Sequence, residues 1–317
     1  MYSHVITRRT ALALLAGVPA VVWGQAEGLS LEDLLQAGQA LAQEYLDEDF
    51  LKSFGEFDAA QVRPLLEKLM QEFQQDYVLD LAALKDAVRQ ALPLLEAHDE
   101  TRPYAIWLRA RSDYFEAAEE FRRTAPPPPP PPQGQPPKRP PNPKPQEQRT
   151  FWQKLFSKRP RPTAADEYVA RLKPVFAARK LPTELVWLAE VESAFNPKAK
   201  SPVGAAGLFQ LMPGTARALG LSLLPSDQRL DPEKSADAAA RYLNHLHGRF
   251  ADWPLAVAAY NAGEGKVGGL LTKYKARTFD EVAIHLPAET QMYVPKMNAT
   301  LLRREGKTLA KLAAPGR

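Results

Sequence analysis

Glu192 is the residue of this 317-residue chain best placed to do chemistry. It lies four residues after Leu188 and seven after Leu185, so a helix would put all three on one apolar face. A carboxyl on such a face loses hydration, its pKa rises, and it can give a proton to a glycosidic oxygen. Taken alone, a glutamate held by a salt bridge at the end of a helix is the better explanation, and the neighbouring motifs change that balance. Glu190, two residues earlier, is predicted to point to solvent.

Polar groups suited to a sugar polymer follow Glu192. Residues 204–207 are small, which would let a large ligand approach the backbone, and Gln210 can both donate and accept hydrogen bonds. Tyr260, Asn261 and Tyr293 add hydroxyl and amide groups beside flat apolar surfaces. We expect these side chains, which come from separate segments, to converge around Glu192.

Four ordered motifs carry a family resemblance. They are Glu192-Ser193, Gly207-Leu208-Phe209-Gln210, Ala259-Tyr260-Asn261-Ala262-Gly263, and Glu289-Thr290 with Tyr293-Val294. With them, residues 162–305 resemble the catalytic domain of the soluble lytic transglycosylase family, closest to the membrane-bound lytic transglycosylase D type. Phe209 stands where the family has Met, which affects one apolar subsite contact.

The resemblance implies an all-α, lysozyme-like domain that cleaves peptidoglycan glycan strands between N-acetylmuramic acid and N-acetylglucosamine. Glu192 would be the single general acid and base, and the product a 1,6-anhydromuramoyl sugar. The implied substrate-binding residues are Ser193, Ser201, Gly207, Phe209, Gln210, Tyr260, Asn261, Glu289 and Tyr293. Two alternatives stay open: a hydrolytic muramidase of the goose-lysozyme kind, and a catalytically silent wall-binding scaffold.

No cofactor, metal or nucleic acid is expected. His245 and His247 are two residues apart on a predicted helix and would face different ways, which makes them poor joint metal ligands. Residues 263–268 fit G-x-G-x-x-G, but a helix rather than a strand precedes them, so a loop between helices is predicted there instead of a nucleotide site.

The elements that must position these residues are predicted to be helical on both sides of a proline-rich linker at residues 124–150. Residues 27–123 form a separate small helical domain of unknown role, in which no catalytic grouping stands out, and residues 151–317 form the catalytic domain. The first holds 10 Lys and Arg against 21 Asp and Glu, a balance of −11, and the second 25 against 15, a balance of +10. These opposite charges predict mutual attraction. Within the catalytic domain, Thr183 is predicted to cap the helix of Glu192. Asp231, followed by Pro232, is predicted to begin a later helix.

Residues 1–26 resemble an export signal, with Arg8 and Arg9 before an apolar run and small residues ahead of a cut after Ala26. An uncleaved membrane anchor is the alternative. The chain has no cysteine, which excludes disulfides and the lipid-bearing cysteine of bacterial lipoproteins. The predicted location is the periplasm or cell envelope, and the N-domain or the linker would contact a cell-wall protein partner.

Overall fold

The computed structural model describes residues 59–126 and 139–316. The predicted export signal and most of the proline run lie outside these ranges. The α-helices over the described residues are α1 (Ala59–Gln74), α2 (Lys85–Ala97), α3 (Arg102–Arg109), α4 (Ser112–Thr124), α5 (Pro145–Phe156), α6 (Ala165–Ala178), α7 (Leu188–Ser193), α8 (Pro213–Ala218), α9 (Pro232–Phe250), α10 (Trp253–Ala262), α11 (Glu264–Tyr274), α12 (Phe279–Val282) and α13 (Ala288–Glu305).

The all-α prediction is confirmed for this part of the chain. Short 3-10 helices lie between α-helices at Val78–Leu84, Thr183–Trp187, Gln228–Leu230 and Ala283–His285, and another follows α13 at Leu309–Lys311. The described ranges contain isolated β-bridges between Lys200, Ala206 and Leu211 but no strand. No helix in the same ranges has the length and apolar character that crossing a membrane requires.

One hydrophobic core lies within residues 165–312. Helix α9 shows how the sequence builds it. The Asp231 carboxylate accepts a hydrogen bond from the Lys234 backbone N–H at 3.0 Å, and Pro232 occupies the first turn, so the predicted helix start is confirmed. The buried face of α9 carries small residues and leucines, which allow close packing against α6 and α10: Ala236, Ala239, Ala240, Leu243 and Leu246.

A second core joins the N-terminal helices to the C-terminal half. It contains buried residues of α1 to α5 together with Ala288, Met292 and Ala299 of α13. Other residues of α13, among them Tyr293 and Met297, belong to the first core. Helix α13 is therefore shared by both cores, and apolar packing, rather than charge attraction alone, holds helices α1 to α5 against the rest of the described chain.

The segment around Glu192 differs from its predicted form in two ways. The predicted single helix is a 3-10 helix at Thr183–Trp187 followed by the short α7, and Thr183 makes no capping hydrogen bond. Glu190 does not point to solvent: its side chain is 5% exposed and its two carboxylate oxygens accept hydrogen bonds from Arg304 at 2.8 and 2.9 Å. The ion pair with this arginine on α13 offsets the free-energy penalty of burying the carboxylate. The spacing of residues within α7 does not reveal that partner.

The predicted loop at residues 263–268 is also wrong. Helix α11 begins at Glu264, and only Gly263, with a φ of +88°, separates it from α10. A glycine adopts that backbone conformation without a steric penalty, so two helices can meet there with no longer connection.

Candidate active site

Helix α7 ends at Ser193, directly after Glu192. Ala194 and Phe195 adopt left-handed backbone conformations, with φ of 51° and 61°, which stop the helix. The Ser193 hydroxyl lies 2.9 Å from the carbonyl oxygen of Leu208 and 3.2 Å from that of Ala189. Ser193 therefore ties the end of α7 to the loop that carries the Gly-Leu-Phe-Gln motif, and its side chain is fully buried.

The Glu192 carboxyl is 3% exposed, and each of its oxygens faces a donor. The Tyr293 hydroxyl donates to Oε1 at 2.5 Å, and Arg111 Nη2 donates to Oε2 at 3.1 Å. Arg111 Nη1 also donates to the Glu192 backbone oxygen at 3.1 Å, and Arg111 Nε donates to Glu289 Oε1 at 2.8 Å. One guanidinium thus bridges two buried carboxylates.

The pKa of Glu192 is raised above its ordinary value. Burial is the main cause, because it penalises the charged form, and the nearby Glu289 carboxylate acts in the same direction. Arg111 and the Tyr293 hydrogen bond oppose the rise. Burial also holds the pKa of the Tyr293 phenol well above its usual range, so this hydroxyl stays a neutral donor. The pKa shift of Glu192 thus has the direction that its apolar spacing predicts.

The loop after α7 is held by its own polar groups. Gln210 Nε2 donates to the carbonyl oxygens of Ala199 and Gly207 at 3.0 and 2.9 Å, while its buried Oε1 has no hydrogen-bond partner among the described residues. The Ser201 hydroxyl accepts from the Ala205 backbone N–H at 2.9 Å. Gln210 and Ser201 thereby fix the shape of the loop.

Gly207 lacks a side chain for a reason other than ligand access. An added Cβ would lie 1.9 Å from the carbonyl oxygen of Arg229, so the chain itself fills the space beside this glycine. Phe209 is likewise fully buried, and its ring packs against Phe176 with centroids 5.8 Å apart. Neither residue offers an exposed surface to a sugar.

Tyr260 and Asn261, at the end of α10, lie between this loop and α13. The Tyr260 hydroxyl donates to the carbonyl oxygen of Phe209 at 2.7 Å, and Asn261 Oδ1 accepts from the Thr290 hydroxyl at 2.6 Å. Both side chains are partly exposed. Glu192 adds to the rise in the pKa of the Tyr260 phenol that burial causes, which puts the two groups in one electrostatic environment.

Arg111 is the functional-site residue that the sequence did not reveal. It lies in the acidic segment where no catalytic grouping stood out, and Arg109, two residues earlier, is an exposed arginine paired with Glu96. Sequence alone does not distinguish these two arginines. The signal in the sequence that could have singled out Arg111 is Trp107, which precedes Arg111 by one helical turn. The Trp107 ring centroid lies 4.7 Å from the guanidinium carbon of Arg111.

Comparisons with known proteins show which proteins this chain is similar to. Residues 177–282 match the Transglycosylase SLT domain. Membrane-bound lytic murein transglycosylase D of Escherichia coli (strain K12) is 42% identical over 139 residues, covering 43% of this chain and 31% of that protein. Soluble lytic murein transglycosylase of the same strain is 40% identical over 121 residues, covering 35% of this chain and 19% of that protein.

Among solved structures, the 70 kDa soluble lytic transglycosylase from Escherichia coli aligns with 98% of this chain and 51% of its own, with a TM-score of 0.41 and 22% identity. The chain spans less than a third of the length of the two curated relatives. Arg111, Glu289 and Tyr293 all lie outside the matched segment. The similarity to the Transglycosylase SLT domain thus covers the segment that holds Glu192, Gln210, Tyr260 and Asn261.

Proposed function

We propose that the protein is a peptidoglycan lytic transglycosylase that uses Glu192 as its single general acid and base. The observation that carries the proposal is the buried Glu192 carboxyl, with its raised pKa and a phenol hydroxyl 2.5 Å from one oxygen. A raised pKa favours the protonated form of the carboxyl, which is the form a general acid requires. The names of the matched relatives, both lytic murein transglycosylases, support the same activity.

The proposed reaction conserves atoms without water. The protonated Glu192 carboxyl gives its proton to the oxygen that joins C1 of N-acetylmuramic acid to the next N-acetylglucosamine, and the bond from C1 to that oxygen breaks. The 6-hydroxyl of the same muramoyl residue then bonds to C1 and passes its proton to the Glu192 carboxylate. A 1,6-anhydro ring forms, and Glu192 returns to its starting state.

The substrate contacts in this proposal divide into two sets. Gln210, Tyr260, Asn261, Glu289 and Tyr293 carry polar atoms around Glu192 or on the adjoining loop and are proposed to bind the sugar. Ser193, Ser201, Gly207 and Phe209 are buried or packed against the chain and are proposed to shape the site behind them. The second set thus acts on the substrate through the loop rather than by direct contact.

The proposal extends to location and partners. The chain is proposed to be exported through residues 1–26 and to act on glycan strands in the periplasm or cell envelope. Domain limits at 27–123, 124–150 and 151–317 stay predictions, and α5 begins at Pro145, inside the range predicted as linker. The site of a cell-wall protein partner is proposed to be the N-domain or the linker.

Digestion of purified sacculi in heavy-oxygen water tests the reaction. A lytic transglycosylase releases anhydromuropeptides, one water lighter than hydrolysis products, and these carry no solvent oxygen. A hydrolytic muramidase releases full-mass products that contain one heavy oxygen, which would contradict the proposed mechanism. Binding to sacculi without any release would show a silent scaffold and contradict the enzyme proposal as a whole.

A further inference from the structure

Arg111 uses every nitrogen of its guanidinium within the candidate site. Nε donates to Glu289, Nη2 donates to the Glu192 carboxylate, and Nη1 donates to the Glu192 backbone oxygen. The side chain is 6% exposed, so the two ion pairs are shielded from solvent. A planar guanidinium fork suits this bridging geometry, and the single ammonium of a lysine does not.

The position of Arg111 is built into the fold. The residue joins α3 to α4, and its backbone N–H donates to the carbonyl oxygen of Leu108 at 3.0 Å. Its guanidinium carbon lies 4.7 Å from the centroid of Trp107, which is itself buried in the core that includes part of α13. Withdrawing Arg111 from Glu192 would therefore disrupt packed helices, so a removable plug is a poor description of this contact.

We propose that Arg111 is a positioning residue of the transglycosylase reaction, which holds Glu192 and Glu289 in one fixed arrangement from outside the SLT segment. This inference rests on the proposed function. Two carboxylates packed together in a buried site repel each other, and the guanidinium between them relieves that repulsion while fixing the direction of each. The N-terminal helices would then complete the active site rather than serve only as an attached domain.

The contact between Arg111 and Glu192 also influences the pKa of Glu192. Burial raises the pKa of this carboxyl, and Arg111 is the largest opposing influence. Glu289 and Tyr293 on α13 also act on Glu192. Glu192 in turn raises the pKa of the phenols of Tyr114 on α4 and Tyr260 on α10. A carboxyl that must give and then take back a proton works best with a pKa near the working pH. Loss of Arg111 would raise the pKa of Glu192 further and weaken it as an acid.

The test uses the full chain and three variants. Arg111→Gln removes the charge, Arg111→Lys keeps a charge without the fork, and Arg304→Gln is the matched control, because Arg304 is a buried arginine that pairs with Glu190 on the same short helix. The readouts are melting temperature and the pH profile of kcat on sacculi. Arg111→Gln is expected to lose on the order of 10²-fold in kcat at the parent's optimum, as misplacement of a reacting group does.

The pH profile separates positioning from simple stability. Glu192 must be protonated to act as an acid, so a higher pKa moves the high-pH limb of the Arg111→Gln profile to higher pH. Arg111→Lys is expected to recover part of the rate, with its limb nearer that of the parent. Arg304→Gln is expected to lower the melting temperature without moving the limb.

Two results would overturn the inference. One is an Arg111→Gln variant with the parent's rate and limb, and the other is a variant faster than the parent, which would make Arg111 an inhibitory plug. If the Gln variant does not fold, Arg111→Lys decides, because full parental rate and limb in that variant would show that the fork is not needed.

A measurement without turnover keeps this inference separate from the proposed function. Carbon-13 NMR of glutamate-labelled protein, with Glu192 assigned through Glu192→Gln, follows the titration of that carboxyl directly. A parent chain that releases nothing from sacculi would refute the proposed function. A Glu192 titration that is the same in the parent and in a folded Arg111 variant would refute the role of Arg111.

Discussion

Replacing Gly207 with alanine is expected to destabilise the protein by about 2–5 kcal/mol, from two separate costs. The φ of Gly207 is +84°, a left-handed conformation that costs a residue with a Cβ about 1–2 kcal/mol. The new Cβ would lie 1.9 Å from the carbonyl oxygen of Arg229 and 2.8 Å from its carbonyl carbon. Backbone has to move to relieve that overlap, which adds about 1–3 kcal/mol, as overpacking does in a core.

The movement should also reach the loop that carries Gln210. Arg229 Nη1 donates to the carbonyl oxygens of Gly204 and Leu211 at 2.6 and 2.9 Å, so its guanidinium ties both ends of this loop. A shift of the Arg229 backbone would strain those two bonds. Reduced stability of Gly207→Ala is therefore expected together with reduced turnover.

Urea unfolding measures the difference, with two other glycines as matched controls. Gly204 has a φ of +83° and Gly220 a φ of +78°, but an added Cβ would meet nothing closer than 3.6 Å at Gly204 and nothing within 4 Å at Gly220. Alanine at either control position is expected to cost only the conformational part, about 1–2 kcal/mol. The reasoning would be refuted if Gly207→Ala were as stable as the two controls and the slope of its free energy of unfolding against urea concentration were unchanged.

Two further substitutions test the surroundings of Glu192. Tyr293→Phe removes the hydroxyl that donates to Glu192. Once Glu192 has given up its proton, this bond is to a charged group and is worth about 1.5–3 kcal/mol, so kcat on sacculi should fall by about 10- to 100-fold. The high-pH limb should move to higher pH, because the pKa of Glu192 rises when this opposing hydrogen bond is lost. An unchanged rate and limb would return this ring to a packing role. Glu190→Gln leaves the buried Arg304 without its carboxylate and should destabilise the fold by about 3–5 kcal/mol in chemical unfolding, whereas a neutral effect would show that the pair contributes nothing.

The sequence predicted the helical class and the start of α9 because those features depend on local chemistry. The Asp231-Pro232 pair contains its own reason for beginning a helix, since the side chain caps a backbone N–H three residues on. The buried carboxyl at Glu192 follows in the same way from its spacing to Leu185 and Leu188. Both inferences needed only residues within a few helical turns.

The failures come from partners that are distant in sequence. Glu190 was placed in solvent by its angle to Glu192, and the deciding contact is with Arg304, on the far end of α13. Arg111 reaches Glu289 across 178 positions of the chain. Helix periodicity describes one element at a time, so it predicts which face is apolar but not which charged side chain another element brings to that face.

The substitution Glu192→Gln tests whether Glu192 is the general acid and base, because it keeps the shape of the side chain and removes the carboxyl group. Release of anhydromuropeptides from sacculi by the full chain is the measurement, and Glu184→Gln is the control, since that glutamate lies near the start of the same region and pairs with Lys307 rather than with any group of the site. We expect the Glu192→Gln protein to fold and to lose at least about 10²–10⁴-fold in rate, which is the usual contribution of general acid–base catalysis. The Glu184→Gln control is expected to retain the parent's rate. Release at the parent's rate by a folded Glu192→Gln protein would show that Glu192 is not the general acid and base.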